Sequence, residues 1–276
     1  MLIIDTHAHI YSPDEKKYPP LPKPLRPPGA KGSTEDLLKE IKAAGVTAVC
    51  AIQTQTFYGF DNRYVCDSSR AHPTWMVGVC NLNPDDPQSP AALGVLARDC
   101  AIRGYRSIPS PRSKQLGGDN VRRMWRTAAE LGIVVNVLIN RDNAGGLATL
   151  LGEFPSLRVV LDHTMNLKAG PDLSPTLAEV LRLARFKNLH AKLTFIPTGS
   201  ATGYPCADMH DACLQVIQAY GPERCVWGSD FPCELWCPKV SYAQHLRIFA
   251  KDLPLPDDAR SRILGGTARR LWFPAL

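Results

Sequence analysis

The chain has 276 residues, 45% of them hydrophobic and 21% charged, which is enough apolar material for a full core and excludes a disordered polymer. Thirty-two Lys and Arg against 26 Asp and Glu leave a net charge of +6. These cations are scattered, with Arg122, Arg123 and Arg126 the nearest thing to a cluster, so a solvated surface is expected and no nucleic-acid partner.

Short β-branched runs alternate with amphipathic stretches from end to end. The first strand is predicted over residues 2–6 and ends Asp5-Thr6-His7-Ala8-His9. Only a few apolar residues precede Asp5, which predicts no signal peptide, and no run of 18 apolar residues predicts a membrane span. A proline-rich segment follows, with six prolines in residues 19–28 out of 24 in the chain. Proline fixes φ and removes a donor, so this segment is neither helix nor central strand. It lies between the first strand and the helix that Ser33 caps, and is read as a stiffened loop at 11–32 presenting Tyr18 and Arg26 over a pocket.

Ser33 with Asp36 forms a capping box ahead of Leu37, Leu38 and Ile41, and Gly45 closes that helix. Further strands are predicted over residues 46–53, 75–81, 101–108, 133–139, 158–162, 189–195 and 224–228. Several are nearly continuous apolar runs, as parallel strands buried on both faces require. Between them, helices are predicted around 90–100, 121–131, 144–152, 177–184 and 209–220, with a final one over 257–271. Eight strands alternating with about eight helices predict the α/β class, as one (β/α)8 TIM barrel domain over residues 1–276. The runner-up, a doubly wound sheet, would need a glycine-rich phosphate loop after the first strand, where this chain has two histidines.

Nine cysteines, an odd number without a Cys-x-x-Cys pair, predict reduced thiols in a cytoplasmic protein. Cys206, His210 and Cys213 at helical spacing read as an ordinary buried face. Cys233 and Cys237 read as loop packing, since a reactive thiol would need a neighbouring base.

Barrel chemistry sits at the C-terminal ends of the strands. Strand alternation puts His7 and His9 on one side, roughly 6.5–7 Å apart along the backbone. The sixth strand ends Asp162-His163 and the eighth runs into Gly228-Ser229-Asp230-Phe231-Pro232. Three histidines and Asp230 are thus expected to converge at the barrel mouth, a set able to share a metal ion or hold a reacting oxygen. Gln53 and Thr54, at the end of the second strand, are placed to touch a substrate.

The opening Asp5-Thr6-His7-Ala8-His9, with Gly228-Ser229-Asp230-Phe231-Pro232 near the end, resembles the amidohydrolase superfamily, in its amidohydrolase-2 branch. The resemblance covers essentially the whole chain, including Leu161-Asp162-His163 and the tail at 263–271. Metal-dependent members place a histidine on the fifth strand, where this chain reads Val134-Val135-Asn136-Val137-Leu138-Ile139-Asn140. Two options therefore stand: one Zn or Mn ion on His7, His9 and Asp230, or a site that runs without metal.

The chain is most similar to the 2-pyrone-4,6-dicarboxylate lactonase and the sugar- and muconolactone hydrolase group. That resemblance implies Arg106 and Arg112 as binders of an anionic group, each guanidinium able to hold an oxyanion bidentately, and Tyr18 as a hydrogen-bond donor. The group's fifth-strand tyrosine and its arginine in the 198–205 region have no counterpart here, so a different substrate is expected. The expected reaction is hydrolysis of an anionic lactone, with Asp230 as general base and His7, His9 and His163 polarising the carbonyl. A lactone isomerase and a metal-dependent decarboxylase are the enzymatic alternatives, and a non-catalytic binding barrel is the third. Nothing in the sequence establishes a homo-oligomer.

Overall fold

In the computed structural model, which describes residues 1–276, eight parallel strands lie side by side in sequence order. They are β1 Ile4–His9, β2 Ala48–Ile52, β3 Met76–Asn81, β4 Ile102–Ser107, β5 Val134–Val137, β6 Val159–Leu161, β7 Leu189–Lys192 and β8 Cys225–Val226. The ring closes just beyond β8. There Thr6 N–H donates to the Trp227 carbonyl at 3.2 Å, Asp230 N–H to His7 at 2.8 Å, and His9 N–H to Phe231 at 2.8 Å. The fold is the predicted (β/α)8 barrel.

Alternation sorts each strand into two sets. Outward residues such as Val49, Ala51, Tyr105, Val135, Val159 and Ala191 pack under the surrounding helices in the main core. Inward residues in the lower half of the barrel are apolar: Ile4, Cys50, Val77, Val79, Val134, Val160 and Val226, with Trp272 packed against them. Above this plug the inward positions turn polar, to Arg106, Asn136 and Lys192, all buried. The change from aliphatic to charged side chains along the same strands marks where packing ends and chemistry begins.

One irregularity aims the histidines. β1 pairs Asp5 with Val49 but Ala8 with Ala51, so β1 has one residue more than β2 over that span. Asp5 and Ala8 thus both sit opposite outward-facing partners, and His7 and His9 are delivered to the interior. A bulge of this kind re-aims side chains at barrel rims. The strand also runs three residues past its predicted end, so both histidines belong to it.

Most helices fall where the patterns place them: Thr34–Ala44 with its Ser33–Asp36 capping box, Ser89–Asp99, Asp119–Glu130, Ala144–Glu153, Leu173–Leu183 and His210–Tyr220. The helix Arg63–Ala71 was not anticipated, because its buried face is short and partly polar, with Ser68 and Ser69 beside Val65 and Cys66. The tail is helical over Asp257–Ser261 and Thr267–Trp272, with a wider turn at Arg262–Gly266 between them, where a single helix was expected.

Two expectations are corrected. Cys66 and Cys100 are joined as a disulfide, their Cα atoms 5.1 Å apart, while the other seven cysteines are free and buried. Cys66 lies in the helix Arg63–Ala71 and Cys100 just past the end of Ser89–Asp99, 34 residues on, so no spacing signal announces them. The proline segment also does not roof the cavity. Its backbone ties down on the chain after β2, with Leu21 N–H to the Phe57 carbonyl at 2.7 Å and Leu25 N–H to Thr56 at 3.0 Å. Tyr18 is buried with Tyr11, Phe57 and Tyr58, and its hydroxyl donates to Asp67 at 2.7 Å. Arg26 pairs with Glu15 over the Phe57 ring. Prolines stiffen this strap, but its aromatic side chain goes into a cluster instead of a pocket.

Tyr18→Phe is therefore expected to cost about 1 kcal/mol of stability through the lost bond to Asp67 and to leave substrate KM unchanged. Urea unfolding beside a KM measurement checks this, and a raised KM would return Tyr18 to the substrate.

Candidate active site

Asp5 is the anchor beneath the site, without facing it. Fully buried, it accepts from His7 N–H at 3.0 Å, Ser229 N–H at 2.9 Å, Ser229 Oγ at 2.5 Å and the Tyr242 hydroxyl at 2.9 Å. One carboxylate thereby clamps β1 to the segment after β8 and fixes His7 opposite Asp230. Gly228 leaves room for that approach, since a Cβ there would meet the His7 Cβ at 2.7 Å. Asp230 itself has a left-handed backbone, φ 57°, and His163, Thr164, Met165 and Asn166 form a left-handed run with φ from 48° to 61°. Such conformations persist only where surrounding contacts over-determine them, and they gather at functional sites. The Thr164 hydroxyl donates to the Lys192 carbonyl at 2.7 Å and holds that run to β7.

The three histidines and Asp230 come together as expected. Asp230 Oδ1 lies 3.5 Å from His7 Nε2 and 3.7 Å from His9 Nε2, and Oδ2 lies 3.8 Å from His163 Nδ1. Their partners determine where each proton sits. His9 Nδ1 faces the Ile52 carbonyl at 3.1 Å, and a carbonyl only accepts, so His9 carries its proton on Nδ1. His7 Nδ1 faces the Lys192 ammonium at 3.3 Å, a pure donor, so the His7 proton is on Nε2. There it points at the bare His9 Nε2, 3.3 Å away. His163 Nε2 faces an Arg106 nitrogen at 3.4 Å, which puts its proton on Nδ1, donated to Thr194 Oγ1 at 2.7 Å.

Beneath them lies a charge cluster. Asp162 accepts from Lys192 Nζ at 2.8 Å, Arg106 Nε at 2.9 Å and Asn136 Nδ2 at 3.2 Å. Burial pushes the Asp162 carboxyl up, but the Lys192 and Arg106 cations outweigh it and hold the group at about 2. Burial, with Arg106 next, lowers His9 and His163 to about 3. Burial followed by Lys192 takes His7 well below its ordinary value. All three imidazoles are therefore neutral at physiological pH. Asp230 moves the other way. Burial raises it to about 7, partly opposed by Arg106, and its Oδ1 is buried without a hydrogen-bond partner.

A cavity of about 440 Å³ opens above this set, lined among others by His9, Arg106, His163, Asp230, Asn140 and Trp236. Thr54 lines it too, with Oγ1 3.4 Å from His9 Nδ1. Other expected contacts are not there. Gln53 spends its amide on the Gly59 and Asp61 carbonyls at 3.0 and 2.9 Å. The Arg112 side chain is exposed, and its N–H is taken by Asp85 and Ser110, because the loop after β4 turns outward at Pro109 and Pro111. Tyr18 lies in its aromatic cluster. His7, His163 and Asp230 each offer one ligand atom, all within 4.8 Å of one another. The His7, His9 and Asp230 atoms expected to share an ion lie within 3.7 Å of one another as well, so His163 joins the expected set.

Lys192 and Asn136 are the residues that sequence reasoning missed. Inward parity along β7 and β5 places both beside Asp162. A lysine in the middle of a predicted buried strand was the available signal.

Residues 4–273 match the family described as amidohydrolase. A D-galactarolactone isomerase of Agrobacterium fabrum is 26% identical over 93% of this chain and 85% of its own length. Among solved structures, a probable 2-pyrone-4,6-dicarboxylic acid hydrolase from Acinetobacter baumannii, with citric acid bound, is 18% identical over 99% of both chains, with a TM-score of 0.78. An amidohydrolase from Burkholderia multivorans with bound zinc is 21% identical over 99% of both chains, with a TM-score of 0.74.

Removing the carboxylate from the charge cluster leaves two buried cations facing each other. Asp162→Ala is expected to cost about 3–5 kcal/mol of stability, read by urea unfolding, and a loss below about 1 kcal/mol would mean that water already compensates Lys192 and Arg106.

Proposed function

Since the chain belongs to the amidohydrolase family, we propose that it hydrolyses a lactone that carries a carboxylate or similar anion, with water activated by Asp230. The observation that carries this reading is the state of Asp230: a buried carboxyl raised to about 7 with one unpartnered oxygen, at the floor of the cavity. A general base is most effective when its pKa lies near the working pH. The lactone-isomerase relative supports a lactone as the substrate class.

In the proposed reaction a water oxygen attacks the lactone carbonyl carbon while Asp230 takes the water proton. The carbonyl oxygen becomes an oxyanion, and His7 Nε2–H and His163 Nδ1–H, both beside the Asp230 carboxylate, turn to it from His9 Nε2 and Thr194 Oγ1 as the neutral donors that stabilise it. The ring C–O bond then breaks, and Asp230 returns its proton to the departing alkoxide. The product is a hydroxy acid. His9, whose lone pair receives the His7 N–H before a substrate is bound, holds that proton on the Asp230 side of the ring.

Arg106 draws the anionic group. Two cations, Arg106 and Lys192, share the Asp162 carboxylate, and the ionised Asp230 balances the second of them. Arg106 alone of the two lines that cavity. It also braces His163 and Asp162, so its loss would disturb more than binding. Arg112 is left out of this assignment. Thr54, Asn140 and Trp236 supply polar contacts for the rest of the ring.

A second reading has one observation in its favour, the isomerase name of the curated relative. There the substrate's own hydroxyl would replace water as the nucleophile, with Asp230 in the same role, and the product would not gain a water. Mass analysis of the product separates the two. The decarboxylase and non-catalytic readings have no comparable support. A small anionic ligand is the only partner in this proposal.

Asp230→Asn is expected to lower kcat by about 10²–10⁴-fold, the usual contribution of a general base, with the fold retained in circular dichroism. Near-native kcat in that variant would remove Asp230 from the base role. The base works only when ionised, so kcat/KM should rise with pH through a midpoint near 7 and fall away below it. A midpoint near 4, the ordinary carboxylate value, would show that burial does not tune this group.

A further inference from the structure

We infer that Lys192 is a positioning residue that fixes His7 as a hydrogen-bond donor, and that it thereby denies the cluster of His7, His163 and Asp230 to a divalent metal ion. An ammonium has three donors and no acceptor. Three acceptors surround Lys192 Nζ: Asp162 Oδ1 at 2.8 Å, the Thr6 carbonyl at 3.0 Å and His7 Nδ1 at 3.3 Å. The lysine is fully buried, so no water competes for these places, and each donor has one partner.

Metal ligation by a neutral imidazole needs a free lone pair on one ring nitrogen. His7 has none, since the ammonium covers Nδ1 and the proton occupies Nε2. His163 has none either, with Arg106 facing Nε2 and the proton on Nδ1 bonded toward Thr194. His9 keeps a lone pair on Nε2, but it receives the His7 N–H. Four groups that look like a ligand set by distance are, by proton position, three engaged imidazoles and one carboxylate.

The residue responsible can be identified by asking what its removal would release. In zinc sites, the nitrogen of a ligating histidine that does not touch the metal usually donates to a carboxylate or carbonyl. His7 Nδ1 lies 3.9 Å from Asp162 Oδ1, a suitable carboxylate, and the Lys192 ammonium bonds both atoms. Without that ammonium, His7 can turn its proton toward Asp162 and open Nε2 beside Asp230. Lys192 therefore sets whether this geometry presents an N–H or a lone pair to the reacting centre.

The test uses zinc alone and does not depend on any substrate. Chelator-stripped wild type and Lys192→Met are titrated with zinc in competition with a chromophoric chelator. Lys192→Met should take up one equivalent at least about tenfold more tightly than wild type, and adding His7→Gln should abolish that gain. In parallel, ¹⁵N spectra of histidine-labelled wild type, with the His7 signals assigned from His7→Gln, should show His7 protonated at Nε2. Equal zinc affinity in wild type and Lys192→Met, or a His7 proton on Nδ1, overturns the inference. Should Lys192→Met fail to fold, the wild-type spectrum decides alone. The inference concerns the same site as the proposed lactonase reaction, yet a wild type inactive on lactones would sink only the reaction and leave both of these readouts standing.

Discussion

The site is organised around one carboxylate shared by two cations at the centre of a barrel. Asp162 lies where water is excluded, and the attraction of Lys192 and Arg106 there is strong enough to overcome the desolvation of its charge. Each cation then uses its remaining donors on a different histidine, Lys192 on His7 and Arg106 on His163. The ion cluster therefore does more than neutralise itself. It determines the proton positions of two imidazoles, and a third, His9, is determined by the Ile52 carbonyl. A polar network buried at this depth is costly if any member is unsatisfied, and nearly every donor here has an acceptor. Two acceptor oxygens of the network, Asn136 Oδ1 and Asp230 Oδ1, are left without a donor, and of these two residues it is Asp230 that lines the cavity.

This arrangement requires β1 to meet the chain beyond β8 with little tolerance. Asp5 supplies the clamp, the bulge between Asp5 and Ala8 turns His7 and His9 inward, and the absent side chain of Gly228 lets the two segments touch. The left-handed residues at Asp230 and over 163–166 are the conformational cost of turning side chains from strand ends into the mouth. That cost is borne by a rigid scaffold whose lower half is plain aliphatic packing. Stability and chemistry are thus stacked along the same strands, one above the other.

Much of this was legible in the sequence because it follows from periodicity. Alternating apolar runs and amphipathic stretches give the barrel, and strand ends give His7, His9, His163 and Asp230. What was not legible depends on contacts between distant segments. Tyr18 has the residue type and loop position of a substrate contact, yet Phe57, Tyr58 and Tyr64 offer its ring a better burial site. Arg112 follows Arg106 by six residues, but two prolines steer it to solvent. Cys66 and Cys100 are brought together only by the fold, Cys66 on the helix packed against β3 and Cys100 at the entry to the neighbouring β4. Lys192 was hidden for a different reason: within a buried strand, a lysine reads as an exception to the pattern, when it was the informative residue.

The charge state of the imidazoles bears on how such a site discriminates. Because burial keeps all three neutral, the site offers N–H dipoles and one ionisable carboxyl, and Arg106 is the cation that lines the cavity. In the proposed reaction a substrate would thus be held at its anionic group by charge and at its carbonyl by neutral donors. The two recognition elements differ in range as well as in strength, since charge acts over several ångströms and a hydrogen bond only at contact. For the proposed lactone hydrolysis, capture would tolerate variation in the ring, whereas reaction would demand a carbonyl within reach of both His7 and Asp230. On that proposal, selection would rest on the distance between anion and carbonyl, a length set by the separation of Arg106 from Asp230 across the cavity floor.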